Sequence, residues 1–481
     1  MTESALAFHR RIDTALADAR LRQALAMTTG RLAGGRAAAF DALPDPVACR
    51  EEARHARAAA VARLDFYLDQ FARAAAARGC TIHWAETAAD AREIISGIAR
   101  ERGIRLAVKS KSMATEEVGL NEALEHAGVR VVETDLGEFV VQLGGDRPSH
   151  IITPIIHRSR QDVAALFQEQ LGATPAEVED IPAMTALARR VLRAEFLQAG
   201  MGISGVNLAV AETGSLCIVT NEGNGRLTTT LPRVHVALLG LERLVPTAAD
   251  LAAVLAVLAR SATGQASSVY TNVITGPRRR SGASGDPPCG EPDGPDELHV
   301  VILDNGRSRT LGTPLAEILY CVRCGACLNA CPVYRHIGGH AYGGVYPGPV
   351  GSVVMPGLHG LEDWSELAQA SSLCGACRDV CPVKIDLPHL LLAVRREAAE
   401  RRLSPLWVRA LMPLYAAVAT RPRVYRWAGR AAARLAHAVQ RGGWISRLPG
   451  PLGAWTASRD FPAPSARSFV EEHRERKAAS A

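Results

Sequence analysis

Apolar positions recur every three to four residues through most of the first 80 positions. Arg54-His-Ala-Arg-Ala-Ala-Ala-Val-Ala-Arg-Leu64 is typical, with strong helix formers carrying an apolar stripe. The spacing predicts helices over residues 1–80, broken at Gly34-Gly35 and at Leu43-Pro-Asp-Pro46. Between 81 and 305 short apolar runs alternate with helical stretches. The runs are Thr81–Trp84, Ile104–Lys109, Val129–Thr134, His150–Pro154, Val234–Gly240 and Leu298–Leu303. That alternation implies βαβ units and a largely parallel sheet. Leu208 to Thr220 reads as a hairpin turned near Thr213-Gly214. Residues 278–297, rich in Arg, Gly and Pro, read as a surface loop between two strands of the same domain. Helical character returns over 306–400 and continues through 401–481.

The pattern thus predicts four segments: N-terminal helices (1–80), an α/β domain (81–305), a helical module (306–400) and an Arg-rich helical C-terminal region (401–481). Length and composition agree. A chain of 481 residues with 48% hydrophobic content has room for two or three cores. A net charge of +6 is modest for this size and does not argue for nucleic acid. No run of 18 apolar residues is present to span a membrane. Met1-Thr-Glu-Ser-Ala does not open a secretory signal, which favours the cytoplasm. Twelve arginines lie between Arg395 and Arg447, against Glu397 and Glu400, with Trp407, Trp427 and Trp444 among them. A solvated helical appendage is the favoured reading, and peripheral contact with anionic lipid or an acidic partner is the alternative.

Seven of the eleven cysteines change the picture. They read Cys321-Val-Arg-Cys324-Gly-Ala-Cys327-Leu-Asn-Ala-Cys331-Pro332 and Cys374-Gly-Ala-Cys377-Arg-Asp-Val-Cys381-Pro382. C-x2-C-x2-C-x3-C-P is a bacterial [4Fe–4S] spacing in which the fourth cysteine serves the other cluster. Zinc sites use other spacings. Two clusters follow. Cys321, Cys324, Cys327 and Cys381 hold the first; Cys331, Cys374 and Cys377 hold the second. The second lacks one thiolate, and Ser371 stands where the repeat would place it. A serine alkoxide, a three-iron cluster, an open position or another residue are the alternatives, with a [4Fe–4S] cluster lacking a fourth cysteine favoured. Cys289 is the remaining cysteine considered for that corner, whereas Cys49, Cys80 and Cys217 read as bystanders.

In the α/β domain two segments attract notice. Lys109-Ser-Lys111-Ser follows a strand and offers cations to a phosphate or carboxylate. Glu212-Thr213-Gly214 and Thr220-Asn-Glu-Gly-Asn-Gly225-Arg226 combine glycines with a candidate base in Glu212. Ordinary loop and turn chemistry is the competing reading for both. No G-x-G-x-x-G follows a strand and no P-loop occurs, so nucleotide and flavin sites lack support. His157, His235 and His336 read as structural, although His336 is near enough to the cysteines to tune a potential.

Lys109-Ser-Lys-Ser-Met-Ala-Thr-Glu-Glu, Glu133-Thr-Asp-Leu-Gly-Glu, Ala211-Glu-Thr-Gly-Ser, Thr220-Asn-Glu-Gly-Asn-Gly-Arg and both cysteine motifs resemble the lactate-utilisation protein B family of iron–sulfur proteins. The serine in place of a first cysteine in the second motif fits that family too. The resemblance covers roughly the whole chain and is most specific from 104 to 390. The 43 residues from Cys331 to Cys374 and the helices flanking the motifs resemble an α-helical ferredoxin. The family resemblance implies an α/β domain with the fold of sugar-phosphate isomerases and CoA transferases. It implies an electron-transfer subunit of a system oxidising L-lactate to pyruvate, not a catalyst on its own. The implied partners are a cysteine-rich iron–sulfur subunit and a smaller related α/β protein. It assigns no catalytic residue. A hydroxy-acid-binding subunit using Lys109, Lys111 and Glu212, and an iron–sulfur redox sensor, are the competing functions.

Overall fold

A computed structural model describes residues 3–278, 294–448, 450–457, 459–465 and 467–479. Cys289 and most of the 278–297 loop lie outside the described residues. The chain divides into two compact units, 1–401 and 402–481.

The first unit opens with four helices: α1 (Glu3–Ala17), α2 (Ala19–Asp41), α3 (Pro46–Ala62) and α4 (Leu64–Ala77). Asp45 caps α3, accepting from the amides of Val47 and Ala48, and Pro46 supplies the first helical residue. The expected break at Gly34-Gly35 does not occur; α2 runs through both glycines. A Cβ on Gly264, which follows the helix Ala248–Thr263, would lie 2.5 Å from the Gly35 carbonyl carbon. The absent side chain serves close helix approach there, and that packing outweighs the helix-breaking tendency of glycine.

Ten strands follow: β1 (Thr81–Ala85), β2 (Leu106–Lys109), β3 (Arg130–Glu133), β4 (Met201–Gly205), β5 (Leu208–Val210), β6 (Ser215–Thr220), β7 (Val234–Gly240), β8 (Leu244–Val245), β9 (Tyr270–Ile274) and β10 (Glu297–Leu303). Six form a parallel sheet in the order β1-β10-β7-β4-β2-β3. The central β7 is buried along its whole length, as a mostly apolar strand covered on both faces must be. One face packs Ile95, Leu120 and Leu124 against Val236 and Val301; the other packs Leu64, Phe71 and Ala75 of the N-terminal helices against Leu239 and Val300. A smaller sheet, β8-β5-β6-β9, contains the expected hairpin of β5 and β6. From β2 the chain moves outward to β3, then returns to β4 on the opposite side of β2. Such a reversal opens a crevice beyond the carboxyl ends of the strands.

The expected strand at His150–Pro154 is a turn. The buried His150 ring accepts from the amides of Ile152 (2.9 Å) and Thr153 (3.1 Å) at Nδ1, so the side chain competes with any sheet ladder for those donors.

The cysteine-bearing segment is built from short helices and packs on the N-terminal ones. Arg57 of α3 is fully buried. It donates to the carbonyls of Leu319 (2.9 Å) and Tyr320 (3.3 Å), and to those of Glu242 and Leu244 beyond β7. Arg50 donates to the carbonyls of Cys381 (2.7 Å) and Asp379 (2.9 Å). The N-terminal helices, the sheet and the cysteine segment therefore share one unit.

The second unit comprises the helices Leu406–Ala419, Pro422–Val439 and Phe469–Ala479 and a two-stranded ribbon at Trp444–Ile445 and Phe461–Pro462. Arg430 pairs with Glu471 within it. Trp407 and Trp427 are exposed. Among the described residues, no helix is long and apolar enough to cross a membrane.

Candidate metal centres and an adjoining cavity

The two cysteine motifs share a backbone design. Arg323-Cys324-Gly325-Ala326-Cys327 and Leu373-Cys374-Gly375-Ala376-Cys377 each place positive φ before and after the first cysteine: 56° at Arg323, 75° at Gly325, 53° at Leu373 and 88° at Gly375. For Arg and Leu that conformation costs about 1–2 kcal/mol each and persists only where the surroundings impose it. At Gly325 space is limiting as well, since a Cβ would lie 3.1 Å from His150 Cε1.

Cys321, Cys324, Cys327 and Cys381 line one small cavity, so a cysteine of the second motif meets three of the first. Val322, Val350, Val383, Ile385 and Leu387 provide most of the remaining wall. Backbone amides point at the sulfurs: Arg323 N lies 3.4 Å from Cys321 Sγ and Ile385 N 3.3 Å from Cys381 Sγ. Cys331, Cys374 and Cys377 gather as a second group, close enough that an ionised Cys374 disfavours ionisation of Cys331, and both disfavour that of Cys377. There the amides of Val333 and Tyr334 serve Cys331, and that of Ala376 serves Cys374. Cys374 is exposed, unlike Cys331 and Cys377. Ser371 Oγ accepts from Leu373 N at 3.2 Å, the same relation that Cys321 Sγ has to Arg323 N. The serine oxygen thus occupies in the second turn the place held by sulfur in the first.

Iron–sulfur ligation fits these donors. Burial pushes the Cys324 and Cys377 thiols up to about 12 and Cys381 to about 11. Such thiols keep their protons at neutral pH unless a cation bound to the sulfurs draws them off. The enclosed cavity offers four soft sulfurs and no carboxylate or imidazole in its lining, which selects iron–sulfur chemistry over hard cations.

A second cavity of about 380 Å³ opens beyond the carboxyl ends of β2, β4 and β7. Lys111 lines it, paired with Glu138 at 2.5 Å. Thr220, Asn221, Glu222, Asn224 and Gly225 line it too, so the second sequence segment does reach the crevice. Burial, helped by Asp135, pushes the Glu222 carboxyl up to about 7. The other expected pocket residues lie elsewhere. Lys109 is fully buried and does not line this cavity; it is held by Glu116 and Glu133, both at 2.7 Å, and by Thr115 at 2.9 Å. Glu212 is exposed and accepts from Ala248 N at 2.7 Å, steadying the start of the helix Ala248–Thr263. Thr213 and Gly214 form the hairpin turn, pressed so tightly on α4 that a Cβ on Gly214 would lie 2.3 Å from Ala75 N. Turn packing accounts for that glycine.

Sequence reasoning missed a buried charge cluster at this cavity. Arg307 meets Glu117 through two bonds of 2.8 Å and Glu242 through one of 2.7 Å. Tyr346 donates to Glu117 at 2.8 Å, and Arg323 lies 4.6 Å over the Tyr346 ring. Arg243 donates to the Cys321 carbonyl at 3.1 Å. Burial opposes ionisation of Glu242, but Arg307, Arg243 and Arg323 outweigh it and hold the carboxyl down to about 2. The adjacent Glu242-Arg243 pair was visible in the sequence; nothing local says that it meets the cysteine turn.

The histidines serve mainly structural bonds. His235 is buried against Ser204 Oγ at 2.7 Å. His157 joins Asp146 and His340 in a group whose ligand atoms lie within 4.8 Å of one another. Arg158, 3.1 Å from Asp146, already supplies a cation there.

Comparison with known proteins accords with this geometry. The LUD domain matches residues 68–303, a 4Fe-4S dicluster domain residues 317–385, and the lactate utilisation protein B C-terminal region residues 401–478. Lactate utilization protein B of Bacillus pumilus is 42% identical, covering 99% of this chain and 98% of its own. That of Shouchella clausii is 42% identical over 96% and 95%. A protein of Escherichia coli described as the uncharacterized electron transport protein YkgF is 41% identical over 96% and 95%. A crystal structure of a DUF162 family protein from Deinococcus radiodurans covers 50% of this chain and 98% of its own at 16% identity, with a TM-score of 0.26, too slight a likeness to carry an argument. Near-complete coverage at this identity, with all three regions in register, shows that the chain belongs to the lactate utilisation protein B family.

Proposed function

We propose that this chain is an iron–sulfur electron-transfer component of lactate utilisation, acting with other proteins and not as a catalyst on its own. The observation that carries this reading is the pair of interleaved cysteine groups, one enclosed and one opening to the surface at Cys374. When bound, a [4Fe–4S] cluster accepts and releases one electron at a time. Cys321, Cys324, Cys327 and Cys381 would hold the first cluster; Cys331, Cys374 and Cys377 would hold the second. The apolar wall would keep water from the first, and the amides directed at the sulfurs would stabilise added negative charge. The exposure of Cys374 makes the second the contact point for a redox partner.

Ser371 would take the fourth position of the second cluster, a reading supported by the matching place of its Oγ and of Cys321 Sγ in the two turns. Ser371→Cys is expected to retain four irons at this site under mild oxidation that converts the native site to a three-iron form. EPR of the oxidised protein reads this directly, and identical three-iron signals in both proteins would place the fourth corner elsewhere.

The overall reaction, L-lactate to pyruvate, releases two electrons and two protons, and one electron for each cluster matches that count. We assign the remaining steps to a cysteine-rich iron–sulfur subunit and a smaller related α/β protein, all in the cytoplasm. The parallel sheet with its crevice supports a sugar-phosphate isomerase and CoA transferase type of fold for 81–305, followed by a helical ferredoxin over 306–400. Anaerobic mixing with L-lactate tests the function. The clusters should bleach only when the partner subunits are present; bleaching by lactate with this chain alone overturns the assignment.

A further inference from the structure

The cavity beyond the strand ends and the cavity lined by four cysteines share a wall, because Val322 and Arg323 line both. The Arg323 side chain is 9% exposed, yet its Nε and Nη1 have no hydrogen-bond partner. Its ion pair with Glu242 Oε1 spans 3.9 Å, and Glu242 is already engaged by Arg307 at 2.7 Å and Arg243 at 3.4 Å. Arg57, Arg243, Arg307 and Arg323 crowd this region, whereas the carboxylates buried among them are Glu117 and Glu242. A buried cation without its full set of acceptors is costly, so this excess of positive charge calls for an anion.

A four-thiolate [4Fe–4S] cluster beside Cys321 would carry about two negative charges when oxidised and answer that excess. The larger cavity, which Arg323 also lines, has room for an acceptor to its unpartnered Nε and Nη1. At about 380 Å³ it lies near the lower end of ligand-site volumes, which limits the occupant to a small molecule. Thr220, Asn224 and Glu222 add neutral and carboxyl groups to the lining. A carboxyl titrating at about 7 can both donate and accept near neutrality, which suits a hydroxyl or keto oxygen.

We infer that this cavity binds a small 2-hydroxy or 2-oxo carboxylate, whose carboxylate pairs with Arg243 and Arg323, and that its occupancy is felt at the first iron–sulfur centre through Arg323. The choice of hydroxy and oxo acids rests on the lactate reading above; the anion site rests on the cavity and the unpartnered arginine. An added carboxylate neutralises Arg323, and reduction adds negative charge against the same wall. The two events oppose each other, and by linkage they do so equally. Reduction loosens the ligand, so arrival of an electron favours departure of the acid.

Equilibrium dialysis of radiolabelled L-lactate and pyruvate against anaerobic, fully loaded protein measures binding, and EPR-monitored redox titration with and without each acid measures the coupling. Saturable binding is expected, about tenfold weaker to the reduced protein, which lowers the first midpoint by about 59 mV for one electron. Arg323→Gln should abolish both effects. Because Arg323 also belongs to the cysteine turn, Ala262→Leu is the independent variant; it fills the cavity from the helix Ala248–Thr263. It should keep both centres and the ligand-free midpoint while losing the acid. Absence of saturable binding to the native protein, binding indifferent to Ala262→Leu, or a midpoint unmoved by bound acid overturns the inference. Lactate-driven reduction through partners without binding here sinks this site and spares the electron-transfer role. Binding here with no reduction in the presence of partners does the reverse.

Discussion

Cys381→Ala is expected to destroy the enclosed centre and spare the exposed one, although Cys381 stands in the second motif. Its sulfur faces Cys321, Cys324 and Cys327 in the enclosed cavity. Losing one of four thiolates leaves an iron without its protein ligand in an apolar wall that offers no replacement. The turn itself should persist, because Arg50 grips the backbone carbonyl of Cys381 and not its side chain. About half the iron should be lost, and the surviving EPR signal should be that of the site removed by Cys374→Ala. Lactate-dependent reduction through partners should fall by two orders of magnitude or more, since a relay with its inner centre missing must span a far longer gap. If Cys381→Ala and Cys374→Ala erase the same signal, each motif serves its own cluster and the interleaved arrangement is wrong.

Arg307→Met should cost the most stability of any single change in the charge cluster, about 3–5 kcal/mol. Arg307 is 2% exposed and is shared by two buried carboxylates, Glu117 and Glu242. Methionine fills the volume but leaves both carboxylates without their principal cation. The effect should depend on pH with a definite sign. In the native protein Glu242 is held at about 2, below its ordinary 4.5, so its stabilisation is complete above 4.5 and fades as pH falls toward 2. In the variant, burial without Arg307 raises both carboxyls, and protonation relieves the penalty as pH falls. The gap between the proteins should therefore narrow from pH 8 to pH 5. Anaerobic urea unfolding across that range measures it. A gap below about 1 kcal/mol, or one that is flat with pH, would mean that water or another cation compensates Glu117 and Glu242.

Much of the architecture was legible because its signals are local. The apolar runs of β1, β2, β3, β7 and β10 appear where the alternation placed them. Thr87 and Asp90 form a capping box at the head of the helix Ala88–Glu101, a signal contained in four residues. The failures have a common physical form. Gly34-Gly35 reads as a break in isolation, but Gly264 approaches it and keeps the helix intact. His150 to Pro154 has strand composition, yet a histidine ring captures its amides. Lys109 and Lys111 look alike in sequence; Lys109 ends β2 and is buried among Glu116, Glu133 and Thr115, whereas Lys111 lies beyond the strand and reaches the cavity.

The sequence by itself determined the sulfur chemistry, the parallel α/β pattern and the family, because cysteine spacing, proline after the motif and period-two or period-3.6 patterning act over a few residues. Only the tertiary structure decided that Arg243 and Arg323 crowd one wall beside the cysteines, and that Glu212 steadies a helix away from that wall. Those outcomes depend on contacts between positions tens to hundreds of residues apart. Burial turns such contacts into strong electrostatics, and no local pattern of hydrophobic and polar residues encodes which charges will meet.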